Sequence, residues 1–402
     1  MKKRLLVLSP YAVFPPQYGG PMRVYNLFHH VSQDYQVTQF SQQVQRDKIK
    51  LTLAPEIEQI TPSYQEYSSR NPLNLLLYAL TSLKWNCPPI WQSKALQLSA
   101  PRWLHEQIHL ADFVHVESPW QFEWAYQQVG KKKPIFFTAQ NVEIDLYSTD
   151  QIAAPTPIAN SIMQELKRLE HFAVNHASLI LTMSGDDSAR LSEYYGISPD
   201  KCVVIANGTD TTEFLPATTA LKEKRKKEFG LTGKKVVAFS GSMHRPNIEA
   251  VEKIVEWAQD WPDQDICFLV IGKVSRLFTH VQHPNIKFTG GVEQVRPYLE
   301  ATDIAINPML SGSGTNLKQL EFMAMGLPTL ATAIGGRGIP IEDGIHGYIR
   351  PLEEFPVFLR SMLDNLECHQ PVGIQGRVLI EQQFAWSVIG DQLLKAYEKI
   401  AI

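Results

Sequence analysis

The chain has 402 residues, of which 44% are hydrophobic and 20% are charged, and its formal net charge is −3. This composition is typical of a globular protein and excludes a disordered or fibrous chain. Near-neutral charge argues against a protein that binds nucleic acid through its phosphates, because such proteins are normally basic. At roughly 150–200 residues per domain, the length predicts two domains.

The cysteines and the N-terminus indicate the compartment. The four cysteines lie far apart with no CxxC pair, which predicts neither a zinc site nor a disulfide framework and fits a reducing environment. The apolar run that follows Arg4 has about six residues, whereas a secretion signal needs roughly 7–15 and a membrane span about 20. We therefore expect a cytoplasmic protein.

Short apolar runs alternate with helical periodicity in the first half of the chain. The predicted strands are 4–8, 37–40, 113–116, 135–138, 179–183 and 203–205, and the predicted helices include 23–31 and 158–176. This alternation is typical of a parallel sheet covered on both faces. The stretch 45–101, rich in Pro, Leu and Trp, fits either a helical insertion that shapes a substrate pocket or irregular packing.

The alternation stops at 207–233, where a turn signal and a charged run at 221–230 indicate a joint between domains and an exposed helix. It then resumes, with strands at 236–239, 266–271, 286–288, 304–307, 329–331 and 348–349, and helices at 247–257, 292–301 and 316–325. The sequence thus predicts an α/β protein with two doubly wound, Rossmann-like domains. The expected ligand site is a cleft between them.

A small-residue loop in the second half has the pattern of an anion site. Ser313, Gly314 and Thr315 lie between a predicted strand and a helix that begins near Asn316. Backbone amides in such a loop can approach phosphate oxygens, and the helix start adds partial positive charge. Lys318 and Glu321 share one face of this helix. Lys318 could bind a diphosphate, and Glu321 could accept hydrogen bonds from both hydroxyls of a ribose. Alternatively, the two residues could form an ordinary surface ion pair.

Two groups of residues in the first half lie at predicted strand ends. Gly19 and Gly20 follow the first strand, where they would let backbone amides approach a phosphate or an acceptor, or simply form a tight turn. Arg23 could add charge there. Three candidates for catalytic roles follow the next strands, where α/β enzymes place reactive groups, and these are Glu117, Gln140 and Asn141.

Taken together, these motifs resemble the retaining glycosyltransferases of the GT-B fold, family GT4. Similar motifs include VVIANGTDTTEFLP at 203–216, FSGSMHRPNIEAV at 239–251 and FAWSVIGDQLLKAY at 384–397. The resemblance implies an acceptor-side domain at 1–208, completed by a returning helix at 386–402, and a nucleotide-sugar domain at 209–385. It also implies transfer of a sugar, with retention, to a saccharide, a lipid-linked acceptor or another glycoconjugate.

The chain departs from the family pattern at several positions. Ser313 stands where most members have the first of two glutamates, and Glu321 is the second, so the chain follows a branch reading GxGTxxKxxE. Glu117 and Gln140 stand where many relatives have histidine, although both can still hydrogen-bond sugar hydroxyls. The cations expected on the leaving diphosphate are Lys318 and Arg245, or His244 in place of Arg245.

The resemblance implies a nucleotide-diphosphate-sugar as donor substrate and no permanently bound cofactor. We expect metal independence. Asp263-Gln264-Asp265 has the D-x-D pattern that binds metal in another glycosyltransferase fold, but it precedes a strand instead of following one and is best interpreted as a solvated turn. We expect no nucleic-acid partner, and the sequence makes no prediction about oligomeric state. The basic runs 131–133 and 222–227 could touch anionic lipid or be solvated. Two other functions stay open, namely a GT-B epimerase or hydrolase and a catalytically degenerate nucleotide-sugar-binding subunit.

Overall fold

The computed structural model describes residues 2–16, 19–42, 56–69, 72–147, 152, 154–311 and 315–400. The chain forms two compact units, Met1–Ala206 with Ile389–Ile402, and Asn207–Val388. Each unit is built on a largely parallel sheet with helices, which confirms the predicted α/β class. No helix in the described ranges is long and apolar enough to cross a membrane.

The first unit contains an eight-stranded sheet in the order β3-β4-β2-β1-β5-β6-β7-β8. Its strands are β1 (Arg4–Ser9), β2 (Gln36–Gln42), β3 (Glu56–Thr61), β4 (Tyr64–Ser69), β5 (Phe113–Val116), β6 (Ile135–Ala139), β7 (Leu179–Thr182) and β8 (Cys202–Val204). All neighbours pair in parallel except β3, which runs antiparallel to β4. The strand order reverses between β1 and β5, so a crevice is expected at their carboxyl ends.

The helices of the first unit lie between these strands and at the C-terminus. They are α1 (Gly19–Val31), α2 (Pro72–Leu80), α3 (Ser82–Trp85), α4 (Trp91–Ser99), α5 (Arg102–Leu110), α6 (Pro119–Val129), α7 (Glu143–Leu146), α8 (Thr156–His176) and α9 (Gly185–Tyr195). The last part of the C-terminal helix also belongs to this unit. There Tyr397 is fully buried and contacts Phe113 and Phe136 edge to face, at centroid distances of 5.0 and 4.7 Å.

The second unit contains a six-stranded, all-parallel sheet in the order β11-β10-β9-β12-β13-β14. Its strands are β9 (Lys235–Ser240), β10 (Ile266–Ile271), β11 (Ile286–Phe288), β12 (Ile304–Asn307), β13 (Thr329–Ala331) and β14 (Tyr348–Ile349). The order reverses between β9 and β12, and ligands of open α/β sheets bind beside such a reversal.

Seven helices accompany this sheet in the described part of the chain. They are α10 (Thr219–Glu228), α11 (Arg245–Asp260), α12 (Arg296–Glu300), α13 (Leu317–Ala324), α14 (Phe355–Asp364), α15 (Leu366–Gln383) and the start of α16 (Trp386–Glu398). The exposed helix predicted at 221–230 is α10, whose N-cap Thr218 accepts a hydrogen bond from the Leu221 amide. The helix predicted at 292–301 is shorter, because α12 begins next to Pro297, a residue favoured in the first turn.

The stretch 45–101 contains two strands that the sequence did not predict, in addition to helices α2, α3 and α4. Strand β4 buries Tyr64 and the carboxylate of Glu66. Glu66 accepts hydrogen bonds from the backbone amides of Val13 and Phe14, both at 2.8 Å. This strand therefore positions the loop that follows β1, at the edge of the sheet where the predicted site residues lie.

Candidate functional sites

In the second unit, the candidate groups follow β9 and β12, the two strands at the reversal of the sheet. Strand β9 leads through Gly241 into α11, and β12 leads through the small-residue loop into α13. Asn316 stands at the N-cap of α13, and its side chain makes no capping hydrogen bond with the described residues. The start of α13 is thus not covered by its own cap, as an anion site requires.

Lys318 connects the two segments. Its Nζ donates to Oδ1 of Asn247 on α11 at 2.5 Å and lies 4.2 Å from the ring centroid of Phe239 on β9. Burial lowers the pKa of Lys318 to about 7, although the charge of Glu321 acts in the opposite direction. Asn247 was not singled out from the sequence, because its proximity to Lys318 depends on β9 and β12 being neighbours.

Glu321 lies one turn further along α13. Burial raises its pKa to about 7, and the charge of Lys318 offsets this only in part. Among the described side chains, Lys318 and Glu321 form no ion pair with each other, and Lys318 hydrogen-bonds Asn247 instead. The arrangement thus differs from the surface ion pair that was the alternative interpretation.

The loop between β12 and α13 is described only at its ends, because Gly312, Ser313 and Gly314 lie outside the described residues. Thr315 is buried, and its Oγ1 has no hydrogen-bond partner among the described atoms. Gly338, with φ +80°, packs so closely that a Cβ there would lie 2.8 Å from this oxygen. The glycine-rich segment after β13 therefore forms part of this site, and its GGRG pattern was the signal available in the sequence.

Arg245, the other predicted cation, is the first residue of α11 and is largely exposed, at 88% of its side chain. Its Nε donates to Oε1 of Glu249 at 3.0 Å. Glu249 also accepts a hydrogen bond from the Ser311 hydroxyl at 3.2 Å. The guanidinium is thus held at the protein surface through a carboxylate that contacts the first residue of the loop.

In the first unit, the three predicted catalytic residues lie together at the carboxyl ends of β5 and β6. Gln140 Nε2 donates to Oε2 of Glu117 at 2.8 Å, and Tyr11 donates from its hydroxyl to Oε1 of Gln140 at 2.8 Å. Glu117, Gln140 and Asn141 line one cavity of about 360 Å³. Tyr11 and Glu143, which line the same cavity, were not identified from the sequence.

The Glu117 carboxylate is buried but remains ionised. Burial alone would raise its pKa, but the hydrogen bond and charge of His115, the charge of Arg23 and the hydrogen bond from Gln140 together lower it. His115 Nε2 lies 3.0 Å from Glu117 Oε1, and the His115 ring also contacts Thr138 and Tyr397. Glu117 is therefore a fixed negative charge in the wall of the cavity.

The predicted glycine turn forms the start of α1, with Gly19 and Gly20 as its first two residues. A Cβ at position 20 would lie 2.5 Å from the Tyr11 hydroxyl, so glycine at this position leaves room for Tyr11. Arg23, one turn further, is buried and donates to the carbonyls of Ile205 and Ala206, both at 2.6 Å. Burial lowers the pKa of Arg23 to about 10, against the charge of Glu117.

No group of three His, Cys, Asp or Glu side chains within the described ranges is arranged to hold a metal ion. The Asp263-Gln264-Asp265 segment lies between α11 and β10, and Asp263 pairs with Arg360 at 2.6 Å with both side chains about half exposed. This segment is the solvated turn that its position before a strand predicts. Metal independence itself stays a prediction.

Two family models match successive parts of the chain. The model described as "Glycosyltransferase Family 4" matches residues 35–213, and that described as "Glycosyl transferases group 1" matches residues 234–366. Among curated relatives, a D-inositol 3-phosphate glycosyltransferase of Corynebacterium aurimucosum is 27% identical over 58% of this chain. An alpha-maltose-1-phosphate synthase of Mycolicibacterium smegmatis is 24% identical over 58% of this chain and 66% of its own length. The chain spans about 60% of the length of the first of these relatives.

Solved structures resemble the whole chain in fold. The Anabaena Alr3699/HepE protein in complex with UDP matches with a TM-score of 0.71 at 15% identity, over 99% of this chain and 100% of that one. A sucrose-phosphate synthase of Thermosynechococcus elongatus matches with a TM-score of 0.71 at 16% identity, over 99% of both chains. With its two parallel-sheet units and the two family matches, the chain belongs to the GT4 family of glycosyltransferases, the group 1 glycosyl transferases, and has their GT-B fold.

Proposed function

We propose that this protein transfers a sugar, with retention of anomeric configuration, from a nucleotide-diphosphate-sugar to a hydroxyl of a saccharide, lipid-linked or other glycoconjugate acceptor. The observation that carries the proposal is the placement of Lys318 and Glu321 at the start of α13, beside the reversal of the second sheet. Lys318 supplies a cation held by Asn247, and Glu321 a carboxyl group one turn away. A diphosphate and a ribose need these two groups.

The donor site is assigned to the second unit. The uncapped start of α13 and the buried Thr315 hydroxyl, which has no partner among the described atoms, offer hydrogen-bonding capacity to phosphate oxygens. The complex of the structurally similar Anabaena protein with UDP makes uridine nucleotides the first donors to test. GDP-, ADP- and TDP-sugars complete the panel.

In the transfer itself, the bond from the anomeric carbon to the diphosphate oxygen breaks, and an acceptor hydroxyl oxygen bonds to that carbon from the same face. The hydroxyl proton passes to the leaving diphosphate, so a strong protein base is not needed. The chain's contribution is to position the reactants and to stabilise charge on the leaving group through Lys318. This accommodates glutamate and glutamine at positions 117 and 140, where many relatives have histidine.

The test is a binding and turnover screen. Each nucleotide-sugar is titrated by calorimetry against the wild-type protein and against Lys318→Ala and Glu321→Ala. We expect one donor to bind and both variants to bind it less well while keeping their melting temperature. Equal affinity in all three proteins would refute the site, and donor conversion without acceptor would favour the epimerase or hydrolase alternative. Binding without turnover on any acceptor would favour a degenerate binding subunit.

A further inference from the structure

The cavity at the carboxyl ends of β1, β5 and β6 carries carboxyl groups in its wall. Two of its lining residues, Glu117 and Glu143, bear carboxyl groups, and no lysine, arginine or histidine is among the described residues that line it. A phosphate monoester is recognised by cationic side chains and by clusters of amide N–H groups. Among the residues that the structure describes, the wall of this cavity offers no such cation.

The start of α6 does not offset the negative charge of this cavity. Helix N-termini attract anions, and Ser118 at the N-cap of α6 lines the cavity. The first residue of the helix, however, is Pro119, which has no amide N–H. Glu117 directly precedes the N-cap and already places a carboxylate there.

The remaining wall is mainly aromatic and apolar. Tyr78, Pro89, Trp91, Trp120 and Tyr147 line the cavity, and both tryptophans are almost completely buried. Aromatic faces of this kind pack against the apolar face of a sugar or another ring. A volume of about 360 Å³ is at the lower end of the range of small-molecule sites, about 300–1,000 Å³.

The polar groups of the wall can both donate and accept hydrogen bonds. Burial, reinforced by the charge of Glu170, raises the pKa of Glu143 to about 8, so its carboxyl group is mainly protonated at neutral pH and can donate. Burial also raises the pKa of Tyr147 and of Cys87, which keeps both neutral. Glu117 stays ionised and accepts. Neutral hydroxyl groups satisfy such a mixed set. The charges of His115 and Arg23 act on Glu117, but neither residue is among the described residues that line the cavity. An anion in the cavity therefore meets the Glu117 carboxylate directly and is repelled by it.

We propose that this cavity binds the acceptor as an uncharged, hydroxyl-bearing compound with an apolar ring or ring face, and that it discriminates against phosphorylated acceptors. The identification of the bound compound as the acceptor rests on the proposed function. The binding preference itself is a property of the first unit alone. It can therefore be measured without a donor.

The test compares phenyl β-D-glucopyranoside with its 6-phosphate by isothermal titration calorimetry on the full-length protein. We expect the neutral glycoside to bind at least about tenfold more tightly, because placing a phosphate beside a buried carboxylate costs more than 1.4 kcal/mol. Gln140→Lys, which adds a cation beside Glu117, should narrow or reverse this preference. Gln140→Met, a neutral residue of similar length, should not. Melting temperatures check that both variants fold.

Equal affinity for both compounds, tighter binding of the phosphate, or binding of neither at millimolar concentration overturns the inference. An unchanged preference in Gln140→Lys also contradicts it. Donor titrations on the same protein separate this result from the proposed function. If nucleotide-sugars bind but neither glycoside does, only the acceptor inference fails; if the neutral glycoside binds but no nucleotide-sugar does, the proposed function fails and the preference of the cavity stands.

Discussion

The Nζ of Lys318 donates to the Oδ1 of Asn247 at 2.5 Å, and this contact joins the segments that follow β12 and β9. The two strands are adjacent in the sheet but more than sixty residues apart along the chain. Asn247 therefore fixes a flexible lysine at the reversal of the strand order, where open α/β sheets bind their ligands.

Removing either partner of this contact should weaken donor binding. Charged hydrogen bonds contribute about 1.5–3 kcal/mol, so Lys318→Ala should lower nucleotide-sugar affinity about 10- to 100-fold. Asn247→Ala, which leaves the ammonium in place but unrestrained, should have a smaller effect in the same direction. Calorimetric titration with the donor identified by the screen measures both.

Lys253→Ala is the matched control, because this lysine lies on the surface of α11 and pairs with Glu256. Its affinity for the donor should be that of the wild type. If Lys253→Ala weakened binding as much as Lys318→Ala, the effect would be one of overall charge, and the assignment of Lys318 would fail.

Donor affinity should be greatest near pH 7. Burial lowers the pKa of Lys318 to about 7, and a bound diphosphate would raise it again, so binding takes up a proton and weakens as the pH rises above 7. Burial raises the pKa of Glu321 to about 7, and ribose hydroxyls that donate to the carboxylate would lower it. Binding then releases a proton and weakens as the pH falls below 7.

The two sides of this pH profile can be separated by substitution. Lys318→Met should remove the loss of affinity on the alkaline side, and Glu321→Gln should remove the loss on the acid side. A nucleotide-sugar is the right probe, because its diphosphate is esterified at both ends and does not titrate in this range. A flat profile in the wild-type protein would show that neither group contacts the donor.

Gly20 should matter for activity more than for stability. A Cβ at this position would lie 2.5 Å from the Tyr11 hydroxyl, the far end of a side chain that can rotate away. Gly20→Ala should therefore displace Tyr11 and break its hydrogen bond to Gln140, while the melting temperature changes little. Steady-state kinetics should give a lower kcat/KM for transfer.

Tyr11→Phe is the companion variant, because it removes the same hydrogen bond without a steric change. We expect its kcat/KM to fall by a factor similar to that of Gly20→Ala. If Gly20→Ala lost activity while Tyr11→Phe kept it, the glycine would act through its backbone, which is the phosphate or acceptor contact that its position after β1 predicts.

The alternation of strands and helices, and the loop before α13, could be predicted from the sequence because both are local patterns. Lys318 and Glu321 were identified in the same way, from their spacing on one helix. Asn247 and Tyr11 could not be, since each contacts a residue that follows a different strand of its sheet, and the order of strands in a sheet is not a local property.

Strand β4 could not be predicted from the sequence, for a different reason. Its buried positions include Glu66, a residue type that is almost never buried without a partner. The partners are the backbone amides of Val13 and Phe14, which lie in a loop fifty residues earlier in the chain. A search for strands whose buried positions are all apolar cannot recognise such a strand.

Glu143 provides a prediction about stability that does not depend on function. Its pKa is about 8 in the folded protein, raised by burial and by the charge of Glu170, against an ordinary value of 4.5. Asn141 hydrogen-bonds it, and Tyr147 and Cys87 lie near it in the wall of the cavity. Between pH 4.5 and 8 the folded state holds the proton that the unfolded state has lost.

The free energy of unfolding should therefore fall as the pH rises through this window, with a contribution from Glu143 of up to about 1.4 kcal/mol per pH unit. Glu143→Gln, which cannot ionise, should flatten this dependence and stabilise the protein at pH 8 relative to the wild type. Urea unfolding at pH 5, 6.5 and 8 measures the effect. Glu165→Gln on α8 is the contrasting control, because this partly buried carboxylate has its pKa lowered by Arg168, and the substitution should not stabilise the protein at pH 8. The same slope in Glu143→Gln and the wild type would mean that Glu143 is ionised in the folded state.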